Sequence, residues 1–233
     1  MIGCLCIHGF TGAPYEVEPL ALHLQEVTDW EIQMVTLPGH GEELVLKGVF
    51  YQEWIEHAEQ AIEKLLSKCE KVYVIGFSMG GLIASYLSTK YPVEKLVLLS
   101  AAVYYVNPKR LFADIGGMIR DTFRGKLKEN DLFLRYKKKI KNTPFSATME
   151  FRKLVQYVRP LLQKIQVPVL IVQGEVDGIV PVKSAFYLYE KIPSPQKELM
   201  FLPGSHHHVC HGCDFEDLVK KVDEFLIGES GNL

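Results

Sequence analysis

The sequence predicts an α/β fold, a mostly parallel sheet with helices on both faces and one helical insertion. Two observations carry this. Short β-branched runs alternate with helical patterns along the chain, the mark of successive βαβ units. At 233 residues with 48% hydrophobic side chains, the chain can also bury the core that such a sheet requires.

In chain order, residues 2–7 form the first expected strand. Residues 16–26 form the first helix, with Val17, Leu20, Ala21 and Leu24 on its apolar side. A second strand covers 31–37, and a second helix 51–68 gathers Trp54, Ile55, Ala58, Ile62 and Leu65 on one face. Strand 71–76 leads into a helix from Gly80 to about Tyr91. Strands 95–100, 167–173 and 197–202 follow, with helices near 182–191 and 214–227.

The alternation breaks once, between Ala101 and about Ile165. Helical segments replace strands there, and segment 148–159 spaces Phe151, Leu154, Val155 and Val158 at i, i+3, i+4 and i+7. Pro160 should end or kink that helix. An insertion of this length over a parallel sheet reads as a cap. The core is therefore assigned to 1–103 and 164–233, and the cap to 104–163. Four lysines within 137–141 read as a solvated helix face rather than a binding patch.

A net charge of -2 offers no electrostatic footprint for nucleic acid or an anionic membrane. No apolar run reaches the roughly 18 residues of a membrane span, so no stable membrane insertion is expected. The apolar N-terminus lacks the basic region and small-residue cleavage site of a secretory signal. Five cysteines stand at 4, 6, 69, 210 and 213, and Cys4 and Cys6 would point the same way on one strand, a poor disulfide pairing. Five reduced thiols favour a cytoplasmic protein.

Gly76-Phe77-Ser78-Met79-Gly80 follows an expected strand and opens an expected helix. This is a G-x-S-x-G nucleophile elbow: a sharp, strained turn that exposes the serine Oγ and needs glycines where side chains would collide. A serine needs a base, and the base an orienting acid, in the chain order Ser, Asp or Glu, His. Asp177 lies just past the fifth strand and is expected to be the acid; Glu175, two residues earlier, reads as a loop carboxylate. His206, His207 and His208 follow the last strand, and in an extended loop only one ring can easily lie between Ser78 and Asp177. A tetrahedral oxyanion also needs two backbone donors. Met79 N–H, after the nucleophile, and Phe10 N–H, in the Gly9–Gly12 loop after the first strand, are expected to supply them.

His8-Gly-Phe-Thr-Gly, Leu37-Pro-Gly-His-Gly41, Gly76-Phe-Ser-Met-Gly-Gly81 and Asp177 before Val180-Pro181 resemble the bacterial carboxylesterase and monoacylglycerol lipase branch of the α/β-hydrolases. The likeness covers nearly the whole chain, including the insertion and Asn142-Thr-Pro-Phe. It implies hydrolysis of small-molecule carboxylic esters with short to medium acyl chains through an acyl-enzyme, without cofactor or metal. It carries Ser78, Asp177 and His208 over as the triad, and Phe10 and Met79 as oxyanion donors. Anchoring the family's Ser-x-His-Val pattern at Val209 selects His208; anchoring it at Ser205 selects His207. The Val209 anchor is preferred because the aliphatic residue after the base packs under the loop and an insertion before the base is easier to absorb. The chain departs from the family in starting at the strand before His8, where one or two edge strands usually come first, and in one extra residue in the histidine loop.

A thioesterase or monoacylglycerol lipase would use the same triad. From other classes come a non-catalytic binding protein on this scaffold and a metal-binding protein. The metal reading rests on His206, His207, His208, Cys210, His211 and Cys213, clustered within eight residues. A structural zinc site usually pairs two ligand knuckles across a folded segment, and only one knuckle stands here.

Overall fold

The structure, a computed structural model, describes residues 1–104 and 143–228. Strands β1 (Ile2–Ile7), β2 (Glu31–Val35), β3 (Lys71–Phe77), β4 (Lys95–Leu99), β5 (Val169–Gly174) and β6 (Lys197–Leu202) form one sheet in the order β2-β1-β3-β4-β5-β6. Every pairing is parallel. The described helices are α1 (Glu18–Val27), α2 (Tyr51–Leu66), α3 (Met79–Lys90), α4 (Phe145–Val158), α5 (Lys183–Lys191) and α6 (Phe215–Leu226). None is long and apolar enough to cross a membrane.

The pleat divides each central strand between two cores. Leu5 and Ile7 of β1, Val72 and Val74 of β3, and Leu96 and Leu98 of β4 pack on one face with α2, α3, α4 and α5. Cys4 and Cys6, Tyr73 and Ile75, and Val97 and Leu99 pack on the other with α1 and α6. Because both faces are covered, these strands are apolar runs rather than alternating ones. Each fully buried aliphatic side chain contributes roughly 1.5–3 kcal/mol.

Element boundaries move by a few residues for identifiable reasons. β2 stops at Val35, not at 37, because the Leu37 N–H leaves the ladder and donates to His8 Nε2 (3.1 Å). β5 starts at Val169, not 167, since Pro168 has no N–H to give a ladder. The first helix starts at Glu18, not 16: Pro14–Glu16 form a 3-10 turn that buries the Glu16 side chain. α4 runs from Phe145, after Pro144, and ends at Val158; a 3-10 segment Arg159–Lys164 carries the proline. Of the expected cap, 105–142 lie outside the described residues, and so do the lysines at 137–141.

The strand order places a topological switch between β1 and β3. β1 leads through α1 to β2 at one edge, and the chain then returns through α2, on the opposite face, to β3 on β1's other side. The carboxyl ends of two such strands border the crevice where open α/β sheets carry their sites.

Candidate active site

Ser78 sits between β3 and α3 with φ 53° and ψ −114°, a strained conformation that costs on the order of 1–3 kcal/mol. The surroundings hold it: Ser78 N–H donates to Leu99 O (2.9 Å), and its carbonyl accepts from Gly81 N–H and Ala102 N–H (3.1 Å each). The two elbow glycines are required for different contacts. A Cβ at Gly76 would strike Gly80 across the turn, at 2.6 Å from its carbonyl carbon. A Cβ at Gly80 would instead strike the end of β1, at 2.5 Å from His8 O. The second glycine thus lets α3 approach the first strand.

Asp177 hangs in the turn after β5 and is held on all sides. Its Oδ1 accepts from Ile179 N–H (2.8 Å) and Val180 N–H (2.9 Å), and its Oδ2 from Gln173 Nε2 (2.9 Å). Burial raises its pKa, but His207 and the two backbone donors outweigh that and hold the carboxyl below its ordinary value. Glu175 is exposed, whereas Asp177 is buried.

The histidine loop corrects the sequence reading. His207, not His208, lies between the serine and the acid: its Nδ1 is 2.8 Å from Asp177 Oδ2 and its Nε2 is 3.0 Å from Ser78 Oγ. With Nδ1–H donating to Asp177, Nε2 is free to accept the Ser78 hydroxyl proton. The cause is the anchor. Asp214 Oδ2 takes Ser205 Oγ (2.8 Å) and Gly204 N–H (2.9 Å), and Ser205 is fully buried. The loop then runs so close to β5 that a Cβ on Gly174 would lie 2.6 Å from His206 O. Register therefore counts forward from Ser205. The extra residue is absorbed after His207, where His208 turns toward Glu16 Oε1 (3.3 Å) before the 3-10 turn Val209–His211. His206 is exposed and bonds Val176 O (3.0 Å) through Nδ1.

The Gly9–Gly12 loop follows β1 beside the elbow; a Cβ on Gly9 would stand 3.1 Å from Ser78 Cβ. Gly9 N–H is tied to Glu16 Oε2 (2.8 Å), and Gly12 N–H closes onto Gly9 O (3.2 Å), with Phe10 between them. Met79 opens α3, so its N–H belongs to the first helical turn, where donors lack intrahelical acceptors. His8 braces the loop from below through Gly9 O (2.8 Å) and Leu37 N–H. The Leu37–Gly41 segment joins it through Gly41 N–H to Gly12 O (3.3 Å). Phe10 stacks on Phe151 of α4 (5.1 Å, 14°) and meets Trp54 edge-on (5.9 Å), so the part of the expected cap that is described forms an aromatic wall beside the site.

Sequence reasoning missed Glu16 and Gln173. The sequence places Glu16 at the start of a helix; Gln173 is the last polar residue before Gly174, inside an apolar strand, and that placement is its only signal. Among the described residues no group of three or more His, Cys, Asp or Glu is arranged to hold a metal ion. The 206–213 cluster disperses: His211 bonds Tyr15 O (2.7 Å), Cys210 is buried and Cys213 exposed.

The family model described as serine aminopeptidase, S33, matches residues 3–214. A thermostable monoacylglycerol lipase of Bacillus sp. is 27% identical over 99% of this chain and 92% of its own length. A carboxylesterase of Bacillus subtilis is 24% identical over 95% of this chain and 91% of its own. A solved structure from a study of LipS and LipT, two metagenome-derived lipolytic enzymes, superposes with a TM-score of 0.77 at 22% identity, covering 96% of this chain and 92% of that one. The fold is that of the α/β-hydrolases.

Proposed function

The chain belongs to the serine aminopeptidase, S33, family of serine hydrolases, and from that premise we propose that it is a carboxylic ester hydrolase in which Ser78 is the nucleophile, His207 the general base and Asp177 the orienting acid. The observation that carries this reading is the continuous path Ser78 Oγ–His207 Nε2 (3.0 Å), His207 Nδ1–Asp177 Oδ2 (2.8 Å). The names of the two Bacillus relatives, a monoacylglycerol lipase and a carboxylesterase, support ester bonds as the target.

Ser78 Oγ attacks the ester carbonyl as its proton passes to His207 Nε2. The developing oxyanion is met by the Phe10 and Met79 N–H groups, and Asp177 stabilises the imidazolium without taking its proton. His207 returns the proton to the leaving alcohol, and the acyl group stays on Ser78. Water, deprotonated by the same His207, then releases the acid. The substrates are small esters with short to medium acyl chains, bounded on one side by the Phe10–Phe151–Trp54 wall.

Ser78→Ala tests the assignment. It should lower kcat on p-nitrophenyl butyrate by at least about 10³-fold while keeping the thermal unfolding midpoint, and a fluorophosphonate probe should label Ser78 in the wild type alone. Wild-type turnover by the alanine variant would end the serine-hydrolase reading.

A further inference from the structure

Glu16 is a buried carboxylate outside the Ser78–His207–Asp177 path, yet its partners are the two loops that build the site. It ends the 3-10 turn Pro14–Glu16 and is only 1% exposed. Oε2 accepts Gly9 N–H at 2.8 Å, one residue before the proposed oxyanion donor Phe10. Oε1 faces His208 Nε2 at 3.3 Å, one residue after the proposed base. The carboxylate fills the hollow of the Gly9–Gly12 loop: a Cβ on Gly12 would lie 2.5 Å from Oε1, and one on Gly9 3.2 Å from Oε2. Glycine at 12 is therefore the space that this carboxylate occupies.

The packing continues to the base. Phe77 lies against both imidazoles, with ring centroids 4.8 Å from His207 and 5.4 Å from His208, and the two histidine rings meet edge to face at 5.6 Å. A displacement of His208 is thus passed to His207 through ring contacts as well as through the backbone. The charge of Glu16 is also matched. Burial raises its pKa, but the hydrogen bond and charge of His208, the charge of His8 and the Gly9 N–H bring it below the ordinary carboxylate value. A buried anion without such partners would be strongly disfavoured.

We propose that Glu16 and His208 form a second carboxylate–imidazole pair, a positioning pair that fixes the oxyanion loop relative to the base loop and so aims the Phe10 N–H at the tetrahedral intermediate. The inference rests on the triad reading above and goes beyond it. Neither residue touches the reacting atoms; the pair acts through Gly9–Phe10 on one side and His207 on the other. Its effect belongs to the transition state, since substrate binding in the ground state does not require the oxyanion geometry.

The test compares His208→Ala, His208→Gln, Glu16→Gln and His207→Ala for hydrolysis of p-nitrophenyl butyrate and for inhibition by an alkyl trifluoromethyl ketone, which forms a tetrahedral adduct with an active serine. His208→Ala and Glu16→Gln should each lower kcat by about tenfold with KM within about twofold, and weaken the ketone in parallel. His208→Gln, whose amide can donate to Glu16, should stay within about threefold of wild type, and the Glu16→Gln/His208→Ala double variant should be no worse than either single within about twofold. Wild-type kcat in His208→Ala, a fall in kcat with no loss of ketone affinity, or no rescue by glutamine would each overturn the pairing. If Glu16→Gln does not fold, His208→Ala carries the test alone, because that side chain is already 28% exposed. Activity surviving in His207→Ala would overturn the triad instead, so the two failures are distinguishable.

Discussion

Replacing Asp177 by asparagine preserves its shape and changes the proton inventory of the relay. The amide oxygen can take the Oδ1 position and keep the Ile179 and Val180 N–H groups (2.8 and 2.9 Å), leaving the NH2 group where Oδ2 was. There it faces two donors, Gln173 Nε2 at 2.9 Å and His207 Nδ1 at 2.8 Å. Gln173 has other acceptors, Val180 O at 3.2 Å and Gly174 O at 3.3 Å, so its lost bond costs about 1 kcal/mol of stability. Among the described residues, Asp177 is the one hydrogen-bond partner of His207 Nδ1. The new N–H donates to Nδ1, the ring proton moves to Nε2, and the imidazole then offers Ser78 a donor in place of a base. Inversion of the tautomer in a serine triad costs about 10⁴ in kcat, or roughly 5.5 kcal/mol of barrier. Steady-state kinetics on p-nitrophenyl butyrate, with thermal melts run in parallel, measure both quantities. Turnover within about tenfold of wild type in a folded Asp177→Asn protein would refute the tautomer argument.

Three further predictions follow from particular contacts. Gly80→Ala places a methyl 2.5 Å from His8 O, with backbone on both sides, so it should destabilise the fold by about 3 kcal/mol or more, read as a lowered denaturant midpoint. Asp177 and Glu16 both titrate below their ordinary values when folded, so the unfolded chain binds protons first. Their stabilisation should be full above the ordinary carboxylate range, near pH 4, and fade as pH falls toward the native values; Asp177→Asn should flatten the acid limb of a melting-temperature profile. Along a p-nitrophenyl ester series from acetate to palmitate, kcat/KM should rise by up to about fourfold per methylene (about 0.8 kcal/mol) and peak at medium chains. Rates still climbing at palmitate would contradict a bounded acyl pocket.

Legibility in the sequence followed the range of the forces involved. The β3–Ser78–α3 turn is a local device whose glycines and flanking periodicity stand within about a dozen residues, so it could be read directly. The four central strands were equally legible, because a strand covered on both faces advertises itself as an apolar run; the edge strands β2 and β6, partly exposed, show instead as short apolar stretches mixed with polar residues. The histidine between Ser78 and Asp177 lies one residue from the expected position for a non-local reason. The loop is pinned at Ser205 by Asp214, nine residues downstream, and by the close pass of β5 at Gly174; neither is visible as a spacing. The sequence pattern makes Glu16 the first residue of a helix, and only the fold turns it inward. Its direction depends on Gly12 leaving a hollow and on Gly9 and His208 supplying donors from both sides.

The most direct test sets His207→Ala beside His208→Ala in one assay, with hydrolysis of p-nitrophenyl butyrate and fluorophosphonate labelling of Ser78 measured on folded protein. The account predicts that His207→Ala loses at least about 10³-fold in kcat/KM and labels very slowly, whereas His208→Ala stays within roughly tenfold of wild type and still labels at Ser78. A dead His208→Ala protein beside an active His207→Ala protein would contradict it.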